Sequence, residues 1–232
     1  MNDKIVPVDV HQAYLSDMAR YSLYILFERY VPSIKDGLKI VHRRILYCMY
    51  HDVKNVSLAT KRKSSNTVGT VMAYYHGHGD SGIYGACKTL TNWFEIKCPL
   101  ICYDSNSGSI QGGAQSSARY TESYLSKFAM DVALADLNES KNVVDWQKTF
   151  DKHTDEPQYL PIKLPLLLIN GVFAIAIGRR VEVPPHSVND VIDATITLLH
   201  DPKAKIVLIP DPCQKCEIVN TDWKKISKQG FG

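Results

Sequence analysis

The spacing of apolar residues changes part-way along this chain of 232 residues, and that change restricts it to folds that mix helices with sheet. Over residues 38–49, Leu38, Val41, Ile45 and Met49 fall on one stripe of a 3.6-residue period, as a helix with one buried face requires. Helices are also expected over 8–30, ending before Pro32, over 63–75, from Asp80 or Ser81 onward with either residue as cap, and over 117–137 with a stripe of Leu125, Phe128, Val132 and Ala135. Past Lys141 the pieces become strand-like, at 144–150 and 164–177, with the turn signal Asp155-Glu156-Pro157 between them. A short helix at 188–200 and a last strand at 205–209 follow. The expected fold class is α+β, with a boundary near 140–155.

The two helices joined by the tight turn Tyr75-His76-Gly77-His78-Gly79 read as a helix-turn-helix. A strand at 99–103, the polar loop Asp104 to Gly108 and a return through Ser109 and Ile110 read as a wing. The domains expected are a helical arm (1–30), a winged-helix domain (31–145) and an α/β domain (146–232).

Charge is concentrated rather than large. The net charge is +3, but residues 29–64 hold nine Lys or Arg against Asp36 and Asp52, a local +7 that leaves −4 for the rest. On the helix at 38–49, Lys39 and Arg43 are four apart and are expected to face away from the apolar stripe, with Arg44 nearer to it. Such a block suits a polyanion, because neutralising phosphates releases counterions. It also suits a solvated helical face, and charge alone does not decide between them.

The longest apolar stretch, 164–178, is broken by Pro165, Asn170 and Gly171 and is shorter than the roughly 20 residues that span a bilayer, so no membrane segment is expected. No apolar run follows the amino terminus, which points to a cytoplasmic protein. The six cysteines form no regular framework and are expected to be reduced. Cys213 and Cys216 have zinc-like spacing but lack a second pair, and His76 and His78 lack a third ligand, so no metal is expected on this chain.

Six motifs, in order, carry a resemblance. They are Arg29-Tyr30-Val31-Pro32 with Asp36-Gly37-Leu38-Lys39; Val41-His42-Arg43-Arg44-Ile45-Leu46-Tyr47; and Tyr75-His76-Gly77-His78-Gly79-Asp80-Ser81. Ala118-Arg119-Tyr120-Thr121-Glu122, Asn170-Gly171 with Ile175-Ala176-Ile177-Gly178, and Pro184-Pro185-His186 follow. Together they resemble the A subunits of bacterial type IIA topoisomerases, DNA gyrase and topoisomerase IV, in their breakage-reunion region.

The resemblance implies a homodimeric DNA gate. The winged-helix domain would carry Tyr120 as the nucleophile joined to a DNA 5′ phosphate, and residues 146–232 would belong to a tower-like domain. Arg29, His76 and Arg119 would surround the scissile phosphate, where guanidinium groups offset transition-state charge. Lys39, His42, Arg43, Arg44 and His78 would contact DNA, Ser81 would present the start of its helix to a phosphate, and Ile175 would wedge between base pairs. Mg2+ and ATP are expected on a partner ATPase subunit in a heterotetramer. The alternative is a non-catalytic winged-helix DNA-binding module.

Three departures from the family pattern stand out. The loop before the tyrosine reads Asp104-Ser105-Asn106-Ser107-Gly108 in place of a glycine-glutamine-glycine-asparagine-phenylalanine run. Arg179, Arg180 and Glu182 replace small, mostly uncharged residues, and the two arginines are candidates for added phosphate contacts. Gly85, four residues after Ser81, stands where an acidic residue normally completes the quinolone drug site, so weak quinolone sensitivity is expected.

Overall fold

A computed structural model describes residues 7–137, 143–176 and 179–211. Helix α1 (Val10–Ile25) is capped by the Asp9 carboxylate, which accepts from the amides of His11 and Gln12, and runs into a π-helical turn (Leu26–Tyr30) ahead of Pro32. Helix α2 (Ile40–His51) is followed by strand β1 (Arg62–Lys63), helix α3 (Ser64–Tyr74) and helix α4 (Asp80–Thr89). Strands β2 (Ile101–Tyr103) and β3 (Glu122–Leu125) join β1 in an antiparallel sheet of order β1-β3-β2. Two hairpins, β4 (Trp146–Lys148) with β5 (Asp155–Pro157) and β6 (Val172–Ala176) with β7 (Arg179–Val183), flank the short helix α5 (Leu166–Asn170), and helix α6 (Val188–His200) comes last. The described residues are therefore α+β, and no helix among them is long and apolar enough to cross a membrane.

The core gathers Ile45, Leu46, Cys48 and Met49 of α2 with Val71, Ile83, Leu100, Leu125 and Ala129, and extends to Val144, Leu160 and Leu166. One cluster thus joins residues on both sides of the expected boundary. Helix α2 lies between α3, α4 and β3, so it buries most of its circumference rather than one stripe.

Several expectations fail for identifiable reasons. No helix begins at residue 117: Ser117 to Tyr120 form a turn, and 122–125 form strand β3 with alternating burial. The β3 positions Ser123 and Leu125 point inward at a period of two, and pairing with β1 and β2 outweighs the helical reading. Only after Ser126 does the chain coil, into a π-helical turn (Ala129–Ala133), and Ala135 is exposed. The return of the β2 loop is therefore β3, not Ser109 and Ile110, so the loop includes the Arg119-Tyr120 pair. Asp155-Glu156-Pro157 is strand rather than turn, the first part of 164–177 is α5 rather than strand, and 205–209 form no strand, with only a bridge from His186 to Pro210. Helix α4 is capped at Gly79 without a side-chain bond, so neither Asp80 nor Ser81 serves as cap. Cys213 and Cys216 lie outside the described residues.

Candidate nucleic-acid cleavage site

The π-helical turn presents the exposed Arg29 at the mouth of a cleft of about 320 Å³, lined also by Glu28, Val41, His76, His78 and the α4 start at Ser81 to Ile83. A π turn places five residues where an α-helix fits fewer, which re-aims the side chains that follow. The turn between α3 and α4 stacks the rings of His76 and His78 at 4.1 Å and buries His76 to 8% exposure.

His76 is oriented from behind. Arg44 donates through Nη1 to His76 Nδ1 at 3.1 Å, and its Nε and Nη2 donate to the two carboxylate oxygens of Glu156, both at 2.7 Å. Gln147 adds a bond to the same carboxylate at 3.0 Å. Because the guanidinium can only donate, Nδ1 must accept, and the ring's proton sits on Nε2. Burial, followed by the charges of His78, Arg44 and Arg29, pushes the His76 pKa down to about 4. A neutral imidazole that donates from Nε2 is the result, a hydrogen-bond donor rather than a cation at neutral pH.

Tyr120 stands apart from this cleft. Its side chain is 63% exposed, the Arg119 guanidinium lies 4.8 Å from its ring centroid, and its amide bonds to the Ser117 carbonyl at 2.9 Å. Among the described residues that line the cleft, neither Arg119 nor Tyr120 is present. One chain therefore shows two parts: an exposed tyrosine with its arginine, and an Arg29-His76 cleft.

A profile of the A-subunit family of DNA gyrase/topoisomerase IV matches residues 29–230. The chain is 40% identical over 230 residues to the DNA topoisomerase 4 A subunit of Haemophilus influenzae, covering 95% of this chain and 30% of that protein. It is 37% identical over 203 residues to the chloroplastic/mitochondrial DNA gyrase A subunit of Arabidopsis thaliana, covering 88% and 21%. Against the DNA topoisomerase 4 A subunit of Salmonella typhimurium it is 36% identical over 241 residues, covering 100% and 32%.

The chain belongs to the family of DNA gyrase and topoisomerase IV A subunits. It spans between 21% and 32% of the length of these three relatives.

The basic residues of α2 are placed otherwise than their helical spacing implies. Arg43 does not face solvent: it is 6% exposed and forms a two-bond pair with Asp36, at 2.6 Å from Nε and 3.1 Å from Nη2. Asp36 also accepts from the amides of Leu38 and Leu160, both at 3.0 Å. The expected phosphate contact by Arg43 is thereby corrected to a structural one, because α2 is packed on nearly all sides. Arg44 is likewise committed to Glu156 and His76, in keeping with its position near the apolar stripe.

Lys39 and His42 are half-buried and line a second cavity of about 480 Å³ with Leu166, Asn170, Gly171, Phe173 and Glu182. Lys39 Nζ reaches the Phe173 carbonyl at 3.5 Å, and burial lowers its pKa. Burial and the Lys39 charge push His42 down to about 3. These two are joined to the β6-β7 hairpin rather than to a solvated helical face.

That hairpin shows Ile175 at 57% and Phe173 at 55% exposure, while Ala174 between them is 4% exposed. An isoleucine in so apolar a run is buried by default, and here it is not. Arg180 pairs with Glu182 and lies 5.3 Å from the Phe173 ring, so part of its charge is already met. Ser81 and Gly85 are both exposed on α4, and a Cβ at Gly85 would meet open space.

Sequence reasoning missed Glu156 and Phe173. Glu156 lies 112 residues from the arginine it holds, and no local spacing signals such a pair. Phe173 was legible: two residues before Ile175 in a strand, it shares the same face.

Proposed function

We propose that this chain is the DNA breakage and rejoining region of a type II topoisomerase, an isomerase that passes one duplex through a double-strand break in another. What carries the reading is an exposed Tyr120 beside Arg119 in a member of this family. The α3-turn-α4 unit with the β1-β3-β2 sheet supports a winged-helix domain following a helical arm, and the segments beyond residue 145 support a tower-like α/β domain.

In the reaction, Tyr120 Oη bonds to the phosphorus as the bond from phosphorus to the 3′ oxygen breaks. The phenol loses its proton, and the departing 3′ oxygen gains one. The phosphotyrosine keeps the energy of the original ester, so the reverse attack by the 3′ hydroxyl reseals the strand without fuel. The phenol must lose its proton to attack, and nearby positive charge favours that loss; Arg119 supplies it from the same segment. Arg29 and the Nε2 proton of His76 would bind the non-bridging oxygens. We place double-stranded DNA across a homodimer, in which the tyrosine segment of one copy reaches the cleft of the other and completes the site.

His78 and Ser81, at the mouth of the same cleft, would hold neighbouring phosphates, with Lys39 and His42 flanking the wedge Ile175. Among the described residues no group of three or more His, Cys, Asp or Glu stands close enough to hold a metal ion. Membership of the A-subunit family supports placing Mg2+ and ATP on a partner ATPase subunit in a cytoplasmic heterotetramer.

The test is incubation with the partner subunit, magnesium and supercoiled plasmid. The expected result is protein covalently trapped on DNA 5′ ends, lost in Tyr120→Phe; an undiminished yield from that variant refutes the assignment. A non-catalytic DNA-binding module predicts salt-dependent binding with no adduct from the wild type, and the exposure of Tyr120 beside Arg119 speaks against it.

A further inference from the structure

The segment that carries Tyr120 is fastened on both sides of the tyrosine. The first two amides of α3, those of Ser64 and Ser65, donate to the carbonyls of Thr121 at 2.9 Å and Ala118 at 3.1 Å. First-turn amides have no acceptor within their own helix, so these bonds satisfy the helix end and the segment together. The Thr121 hydroxyl, on a residue with no exposed surface, donates to Ser64 Oγ at 2.8 Å. From α4, the Tyr84 hydroxyl donates to the Ser116 carbonyl at 2.5 Å and stands 3.0 Å from Thr121 Oγ1.

The Tyr84 ring is itself held by stacking on Tyr103 at 6.5 Å. Burial raises the Tyr84 pKa, which keeps its hydroxyl protonated and able to donate. The nucleophile is thus exposed on a backbone whose neighbours at 116, 118 and 121 are all bonded to α3 or α4.

We propose that Thr121 is a positioning residue for the reaction at Tyr120, acting through its hydroxyl bond to Ser64 and beside the Tyr84 hydroxyl that holds the Ser116 carbonyl. This rests on the reading of Tyr120 as nucleophile. The Thr121-Ser64 and Tyr84-Ser116 bonds exchange no proton with substrate; they fix the backbone from which Tyr120 reaches the phosphorus in line with the 3′ oxygen. Such alignment governs the rate of strand transfer in both directions, because the same phosphotyrosine must face the 3′ hydroxyl when the break is resealed. It contributes little to DNA affinity, since Thr121 and Ser64 are buried and Tyr84 is only partly exposed.

The test compares Thr121→Val, Thr121→Ser and Tyr84→Phe in the full-length protein in complex with its partner. Two quantities are measured: the single-turnover rate of covalent adduct formation on saturating duplex DNA with magnesium, and the DNA Kd by fluorescence anisotropy. Thr121→Val and Tyr84→Phe are expected to slow adduct formation by about tenfold to a hundredfold, with Kd within about twofold of wild type, while Thr121→Ser stays near the wild-type rate. Tyr84→Phe keeps the ring that stacks on Tyr103, so it reports the hydroxyl even where Thr121→Val fails to fold. A wild-type rate in Tyr84→Phe, or a loss of rate matched by an equal loss of affinity, overturns the proposal. No adduct from the wild type instead overturns the assignment of Tyr120, and the positioning role with it.

Discussion

Arg44 and Glu156 meet through two hydrogen bonds of 2.7 Å, and the remaining guanidinium nitrogen of Arg44 fixes the ring of His76. The glutamate is 2% exposed. Glu156→Gln keeps the shape but leaves a half-buried arginine without its counter-charge. The expected cost is roughly 3 kcal/mol of stability, with a further loss of cleavage rate as His76 loses its orientation. Chemical denaturation and adduct yield check both, and a variant as stable as wild type would contradict the pair's role.

The Arg43-Asp36 pair yields a second expectation. Asp36→Ala strands a buried arginine and two amides, so it should destabilise the fold by about 3–5 kcal/mol. Arg43→Gln, which removes the charge together with the two-bond geometry, should lower stability while leaving the salt dependence of DNA binding unchanged. A decrease of about one in the slope of log K against log salt would instead restore Arg43 as a phosphate contact.

The pH dependence of stability follows from His76 and His42, held near 4 and near 3. Both lie below the unfolded value of about 6.5. Between the two values the unfolded chain binds protons that the folded chain refuses, so the native state is favoured fully above pH 6.5 and progressively less as pH falls toward 4. The melting temperature should therefore drop over that window, and His76→Asn should flatten the drop. An equal slope in the variant would show that His76 does not titrate in this way.

Ile175 is exposed enough that Ile175→Ala should change stability by no more than about 0.5 kcal/mol. If it wedges between base pairs, the same change reduces the bend of bound DNA, read by energy transfer between dyes at the duplex ends. An unaltered bend removes the wedge assignment.

Gly85 offers a gain-of-response experiment. Open space surrounds the position a Cβ would occupy, so Gly85→Asp should fold as the wild type does. With Ser81 it would rebuild the serine-carboxylate pair that the family pattern places at the quinolone drug site, and quinolone should then stabilise the cleaved complex at lower concentration. A drug response identical to wild type would remove Ser81 and Gly85 as a drug site.

The family, the α+β class and the positions of α1, α2, α3, α4 and α6 were legible in the order of residues alone. Those helices carry strong local periodicity, and the motifs around Arg29, His76 and Tyr120 are short and contiguous, so both signals survive without knowledge of what packs where. Whatever depends on partners distant in the chain came from the folded molecule. Tyr120 precedes a strand rather than riding a helix because β3 finds β1 and β2, and because the amides of Ser64 and Ser65 take up the carbonyls around it. Arg43 is structural because Asp36 and the packing of α2 enclose it, whereas a helical wheel shows only its angle and not its neighbours. His76 is a neutral donor because burial and the charges of His78, Arg44 and Arg29 hold its pKa down, and because Arg44, 32 residues away and itself held by Glu156, fixes its tautomer. Burial and counter-charge arise only when the chain closes on itself, and they convert a list of basic residues into a few that are free to meet DNA and others that hold the site in place.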